Sequence, residues 1–154
     1  FFGRSWCKKE MELKGLNTNI VQTNISYNKN KGTLRGMHFQ KEPYQETKLV
    51  RCTKGAVYDV IIDIRPDSKT FTKWFGVELT EDNYKMLYVP EGFAHGYITL
   101  KDKSEIHYMV TEFYTPSHEG GVRWNDPVFD IKWPIEVLSV SEKDRKHPDF
   151  IIKK

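Results

Sequence analysis

Cysteine is scarce in this sequence: two residues in 154, Cys7 and Cys52, with no Cys-x-x-Cys pair. That argues against a zinc ribbon and a disulfide-stapled scaffold, and it fits a reducing, cytoplasmic setting. No Lys/Arg run exceeds two residues, and 24 basic against 21 acidic side chains leave a net charge of only +3. Neither a nucleic-acid stripe nor a polybasic membrane tether is expected. No stretch nears the roughly 18 apolar residues of a spanning helix. The opening Phe1-Phe2-Gly3-Arg4-Ser5-Trp6 lacks the charged start, apolar run and small-residue cleavage site of a signal peptide. The chain does not begin with Met, so further residues upstream are expected. The Gly-x-Gly-x-x-Gly turn that cradles a dinucleotide is also missing. What is abundant is aromatic side chains, at 14%. They supply large apolar surfaces for a β core or a stacking site. The length fits one domain over residues 1–154 with a sizeable core.

One early helix is expected. Ser5 caps it, Trp6 to Lys14 are mostly good helix formers, and Gly15 ends it. The rest reads as strands and turns. Strands are expected at Asn19–Ser26, Thr33–Gln40, Thr47–Thr53, Ala56–Ile64, Trp74–Leu79, Met86–Val89, His95–Leu100 and Glu105–Tyr114. Thr47–Thr53 and Ala56–Ile64 are expected to pair as a hairpin through Lys54-Gly55. The β-branched run from Val57 to Ile64 suits a buried strand. Short strands separated by regular turns point to an all-β sandwich or barrel. From Ser117 onward the chain is irregular, with Pro127, Pro134 and Pro148, and is expected to wrap the barrel.

Five polar side chains stand inside strand-like runs: Arg35, His38, Gln40, Lys48 and Arg51. Singly, each would simply face solvent. Five within eighteen positions on two neighbouring strands suggest an interior that holds a ligand, because a dry barrel does not accept inward cations. Alternation puts His38 and Gln40 on one face with Leu34 and Gly36, and Lys48 with Val50 and Cys52. Pro90-Glu-Gly-Phe-Ala-His95 matches the second motif of cupin jelly rolls, whose histidine often binds metal. Their first motif carries His-x-His, but here it reads His38-Phe39-Gln40. Two histidines without a placed carboxylate suit a transition metal poorly, so no metal is expected.

Gly32-Thr-Leu-Arg-Gly-Met-His-Phe-Gln40, Lys48-Leu-Val-Arg-Cys52, Val57-Tyr-Asp-Val, Asp63-Ile-Arg65, Pro90-Glu-Gly-Phe-Ala-His-Gly96 and Trp124-Asn-Asp-Pro127 follow in order. Together they resemble the dTDP-4-dehydrorhamnose 3,5-epimerases, cupin-fold enzymes of deoxysugar-nucleotide biosynthesis. The resemblance runs from Phe1 to about Asp149. It implies a cupin-type jelly-roll barrel with a few short peripheral helices, working as a homodimer without cofactor or metal. The implied reaction is epimerisation at C3 and C5 of a dTDP-4-keto-6-deoxyhexose. The C4 ketone acidifies the neighbouring hydrogens, so the site needs a base, an acid on the opposite face and a cation for the enolate oxygen.

On this resemblance His38 is the base, Asp144 its aligning carboxylate, Lys48 the cation and Tyr108 the phenol returning the proton. His95 lies beside the sugar. Gln22 and Asn24 meet the pyrimidine, Arg35 the diphosphate, and Gln40, Tyr114 and Glu119 make further substrate contacts. Phe2 and Arg4 complete the site of a second subunit. Two departures stand out: Phe1-Phe2-Gly3-Arg4 where relatives commonly carry Phe-Phe-x-Glu, and His107 where an apolar residue is usual. Other readings of the same residues are a one-site epimerase or isomerase on a CDP-, GDP- or dTDP-linked keto sugar, and a non-catalytic sugar-nucleotide-binding cupin.

Overall fold

The computed structural model describes residues 1–152. Two facing sheets form a jelly roll. The first orders β1 (Gln22–Asn28), β8 (Ser104–Val110), β3 (Lys48–Lys54) and β6 (Met86–Val89). The second runs from β10 (Ser139–Val140) through β2 (Thr33–Gln40), β7 (Phe93–Thr99) and β4 (Ala56–Asp63) to β5 (Trp74–Thr80), with β9 (Glu119–Gly121) also paired to β2. All pairings are antiparallel except β10 on β2. Two short helices, α1 (Lys8–Glu12) and α2 (Glu142–Arg145), lie outside the sheets. Among the described residues no helix is long and apolar enough to cross a membrane.

Apolar packing explains why β4 reads as a continuous run. Val57 and Ile61 face inward onto Val50, Cys52, Leu79, Val89 and Ile106 between the sheets. Val60 and Ile62 face outward, beneath Val122, Phe129, Ile131, Trp133 and Phe150 of the tail. A strand buried on both sides has no polar face to alternate with. The tail therefore wraps the barrel, as expected, and seals the outer face of the larger sheet.

Several expectations change. Thr47–Thr53 and Ala56–Ile64 do not form a hairpin, because β3 and β4 belong to opposite sheets. Gly55, at φ +75°, turns the chain from one sheet to the other. For the same reason the polar residues of β2 and β3 face each other across the interior; the strands are not laterally adjacent. Arg51 does not join them: its guanidinium lies over the Tyr84 ring at 5.6 Å on the outer face, on the opposite parity from Lys48. His107 shares that outer side, in register with Arg51 and Ile25. Ser5 does not cap α1. The helix starts after Cys7 without a side-chain cap and buries none of its residues, so little beyond one turn persists. β8 ends at Val110, after which the Tyr114 and Thr115 N–H groups donate to Gln22 and Gln40 in place of a strand partner.

One irregularity aims the functional face. Arg35 pairs with Tyr97 and His38 with His95, so Gly36 and Met37 together oppose Gly96. This bulge shifts the alternation by one, so that Arg35 and His38 both point inward while Met37 and Phe39 pack outward under the tail. The strands approach too closely there for side chains. A Cβ on Gly36 (φ +116°) would stand 2.6 Å from the Gly96 Cα, and one on Gly96 2.6 Å from the Arg35 carbonyl oxygen. Gly36→Ala should cost about 1–3 kcal/mol, the usual range for a residue held in a disfavoured conformation. Denaturant unfolding checks this, and an unchanged midpoint would show that the bulge does not depend on glycine.

Candidate active site

The barrel is hollow beside its apolar core, whose Tyr97 and Ile106 form part of the wall. An outer lobe of about 430 Å³ is lined by Gln22, Asn24, Gln40, Glu46, Tyr114 and Glu119 among others. An inner lobe of about 220 Å³ is lined by Ser26, Arg35, His95, Gly96, Tyr97 and Ile106. His38, Lys48 and Tyr108 line both, and so form the waist between them. β1 explains part of this polarity. Gln22, Asn24 and Ser26 face the hollow, whereas Thr23, Ile25 and Tyr27 face out. The strand is polar inside and apolar outside, the reverse of a strand covering a dry core.

His38 meets Asp144 across 106 residues of chain. Its Nε2 lies 2.6 Å from Asp144 Oδ1, and the Gly36 N–H donates to Oδ2 at 3.2 Å. The tail makes this possible. β10 pairs with the start of β2, and the Ser141 hydroxyl then caps α2 by accepting the Asp144 N–H at 3.1 Å. The carboxylate is thus brought beneath the bulge, 3% exposed. Burial alone would raise its pKa, but the hydrogen bond from His38, that ring's charge and the Gly36 N–H hold it below the usual carboxylate range. An ionised Asp144 takes the Nε2 proton as acceptor, which leaves Nδ1 as the basic nitrogen of His38.

Across the waist stand the other two groups. Glu46 holds the Lys48 ammonium at 2.9 Å, and both side chains are largely buried. Burial raises the Tyr108 phenol, reinforced by Tyr97 and Glu46, so it stays protonated through neutral pH. His95 Nε2 donates to Asp59 Oδ1 at 2.7 Å, and Asp59 is fully buried. Arg35 Nε donates to Asn28 at 2.6 Å, which fixes the guanidinium in the inner lobe, away from Gln22 and Asn24. At the outer rim Tyr114 donates to Glu119 at 2.9 Å and Lys143 pairs with it at 2.5 Å. Gln40 is committed to backbone: it donates to Tyr44 and Phe113 and accepts from Thr115. It braces the rim loop more than it offers free groups. Phe2 is 88% exposed and Arg4 pairs with Glu10, and neither lines the hollow.

The family model described as dTDP-4-dehydrorhamnose 3,5-epimerase matches residues 1–151. The chain belongs to this family. A curated relative, the dTDP-4-dehydrorhamnose 3,5-epimerase of Sinorhizobium fredii, is 45% identical over 150 residues, covering 97% of this chain and 75% of its own. The Bacillus anthracis dTDP-4-dehydrorhamnose 3,5-epimerase, solved with TDP and PPi bound, superposes with a TM-score of 0.94 at 46% identity, covering 97% and 85% of the two chains. The Legionella pneumophila enzyme, solved with dTDP-4-keto-L-rhamnose, does so at 0.87 and 39% identity, covering 93% and 76%.

In this 3,5-epimerase fold, sequence reasoning missed three groups around the waist. Asp59 was detectable as an acid in the middle of the apolar run of β4, whose other acid, Asp63, ends the strand. Glu46 lies two residues before Lys48 and so shares its side. His147, three residues after Asp144 and beside it, carries a buried Nε2 without a partner. Only the i,i+3 spacing with Asp144 signals it.

The lowered Asp144 pKa has a consequence for stability. Its unfolded value is about 3.9, so the ionised carboxylate stabilises the fold above that pH, and the contribution fades as pH falls through the lower folded value. Asp144→Asn should therefore differ most from the unmodified protein in urea midpoint above about pH 5, the difference shrinking towards pH 3. A gap that widens on acidification would contradict this.

Proposed function

We propose that the chain epimerises C3 and C5 of dTDP-4-keto-6-deoxyglucose, giving dTDP-4-dehydrorhamnose, with His38 as base and Tyr108 as acid. The observation that carries the reading is the His38–Asp144 pair at 2.6 Å, facing Lys48 and Tyr108 over one waist. With the C4 carbonyl at Lys48, His38 Nδ1 takes a proton from the adjacent carbon. Asp144 stabilises the imidazolium, as the carboxylate does in a catalytic dyad. The ammonium stabilises the enolate oxygen more strongly in this partly dry space than it would in water. Tyr108 returns a proton to the other face; solvent then takes the proton from His38 and restores that of Tyr108, and the second carbon repeats the cycle. Electrons and protons balance without an oxidant, since each carbon loses one proton and regains one.

The nucleotide fits the outer lobe, with Gln22 and Asn24 offering amides to a pyrimidine edge. The diphosphate joins this nucleoside to the sugar at the waist, so Arg35 and His95, fixed in the inner lobe by Asn28 and Asp59, face the sugar and not the diphosphate expected for Arg35. Tyr114, Glu119 and Gln40 shape the rim. The reading extends to a homodimer. β1 is an open sheet edge whose outer face exposes Ile25 at 67% and Tyr27 at 52%, a surface that pairing with a second copy would cover. Phe2 and Arg4, which stand free of this chain's own hollow, then reach the partner's site. The whole chain acts as one epimerase domain in the cytoplasm.

NMR of dTDP-4-keto-6-deoxyglucose in D₂O tests the reading. Deuterium should enter at both C3 and C5 and the rhamnose-configured keto sugar should accumulate. Exchange at one carbon would make this a one-site epimerase, and no exchange would remove the enzyme reading. His38→Ala should reduce turnover on the order of 10²–10⁴-fold, the usual share of general acid–base catalysis. A rate near that of the unmodified protein would take the base role away from His38.

A further inference from the structure

The groups at the foot of the waist include one the epimerisation does not use. His147 lies behind the His38–Asp144 pair, with Nε2 4.0 Å from Asp144 Oδ1 and its ring 6.4 Å from the His38 ring between centroids. That nitrogen is buried and has no hydrogen-bond partner. The ligand atoms of His38, Asp144 and His147 all lie within 4.8 Å of one another, and no other such group of three occurs among the described residues. We propose that these three side chains form an inhibitory binding site for a zinc-like divalent ion.

The donor set suits such an ion. Two imidazoles and one carboxylate are the three protein ligands of many open tetrahedral zinc sites, with bonds of about 2.0–2.2 Å. Those bonds place neighbouring ligand atoms roughly 3.4 Å apart in a tetrahedron. The present separations from Asp144 Oδ1, 2.6 Å to His38 and 4.0 Å to His147, bracket that value. Asp144 Oδ2 stays anchored by the Gly36 N–H, so the carboxylate keeps its orientation. Lys143, whose charge acts on His147, is already paired with Glu119 at 2.5 Å.

Inhibition follows from proton bookkeeping and rests on the base role given to His38 above. The neutral ring has one proton, now on Nε2 and shared with Asp144; an ion on Nε2 binds the other tautomer, in which that same proton has moved to Nδ1. With the ion on one nitrogen and the proton on the other, no lone pair is left to take hydrogen from the sugar. The ion would thus compete with turnover and leave with a chelator.

Zn²⁺ alone, added to the whole protein, tests this by NMR of its five histidine rings, His38, His95, His107, His118 and His147. The expected result is a saturable shift of the His38 and His147 rings with the others unmoved, one ion bound per chain, and loss of epimerase activity that EDTA restores. His147→Ala and His147→Gln should each weaken Zn²⁺ at least by the roughly 10–100-fold that even an outer-shell loss costs. Shifts confined to His107 or His118, no binding, or equal affinity in both variants would overturn the site. Binding at His38 and His147 without loss of turnover would uphold the site and overturn the base role of His38.

Discussion

One contact organises this protein: the 2.6 Å hydrogen bond between His38, in the middle of a strand, and Asp144, in a single helical turn of the tail. Closing a loop of that length costs chain entropy, and one hydrogen bond does not offset it. Packing does. Val122, Phe129, Ile131, Trp133 and Phe150 bury themselves on the outer face of the larger sheet, and β10 then pairs with β2. The carboxylate arrives as the end of a packed strap, already capped by Ser141 and fed by the Gly36 N–H. The same arrangement that seals the core therefore also aligns the proposed base.

The bulge in β2 is the second constraint. A regular strand would send Arg35 and His38 to opposite faces. Two residues against Gly96 put both into the hollow, and Met37 and Phe39 into the outer apolar layer. The opposite wall answers with the inward polar residues of β1 and with Lys48 and Tyr108 from β3 and β8. Charged groups in such a space need partners. Glu46 serves Lys48, Asp59 serves His95 and Asn28 serves Arg35, so each group is oriented before a substrate enters. That preorganisation is what stabilises an enolate cheaply.

Local pattern made much of this legible. Thr33–Gln40 and Met86–Val89 carry their bounds in their turns, and the polar side chains of β1, β2 and β3 announced a wet interior. Lys54-Gly55 misled, because a turn dipeptide reports that the chain reverses and not which sheet receives it. Arg51 misled although parity already set it apart from Lys48, Val50 and Cys52, because it was grouped by its place in the strand and not by its face. Asp144 came from the family resemblance alone: nothing near it in sequence distinguishes it from a solvated acid. Asp59 and Glu46 were readable in principle from their neighbours. The junction of β10 with β2, a two-residue parallel pairing, has no local signature at all.

The central claim is that one face of the sugar meets His38 and the other meets Tyr108. Tyr108→Phe in D₂O tests it most directly, with deuterium incorporation and configuration followed by NMR in the same sample. The account requires uncoupling: the base still exchanges hydrogen at the carbons beside the ketone, but deuterium returns from the side it left, so configuration is retained. Normal inversion in Tyr108→Phe, or loss of exchange and inversion to the same degree, would contradict a two-faced site built on these residues.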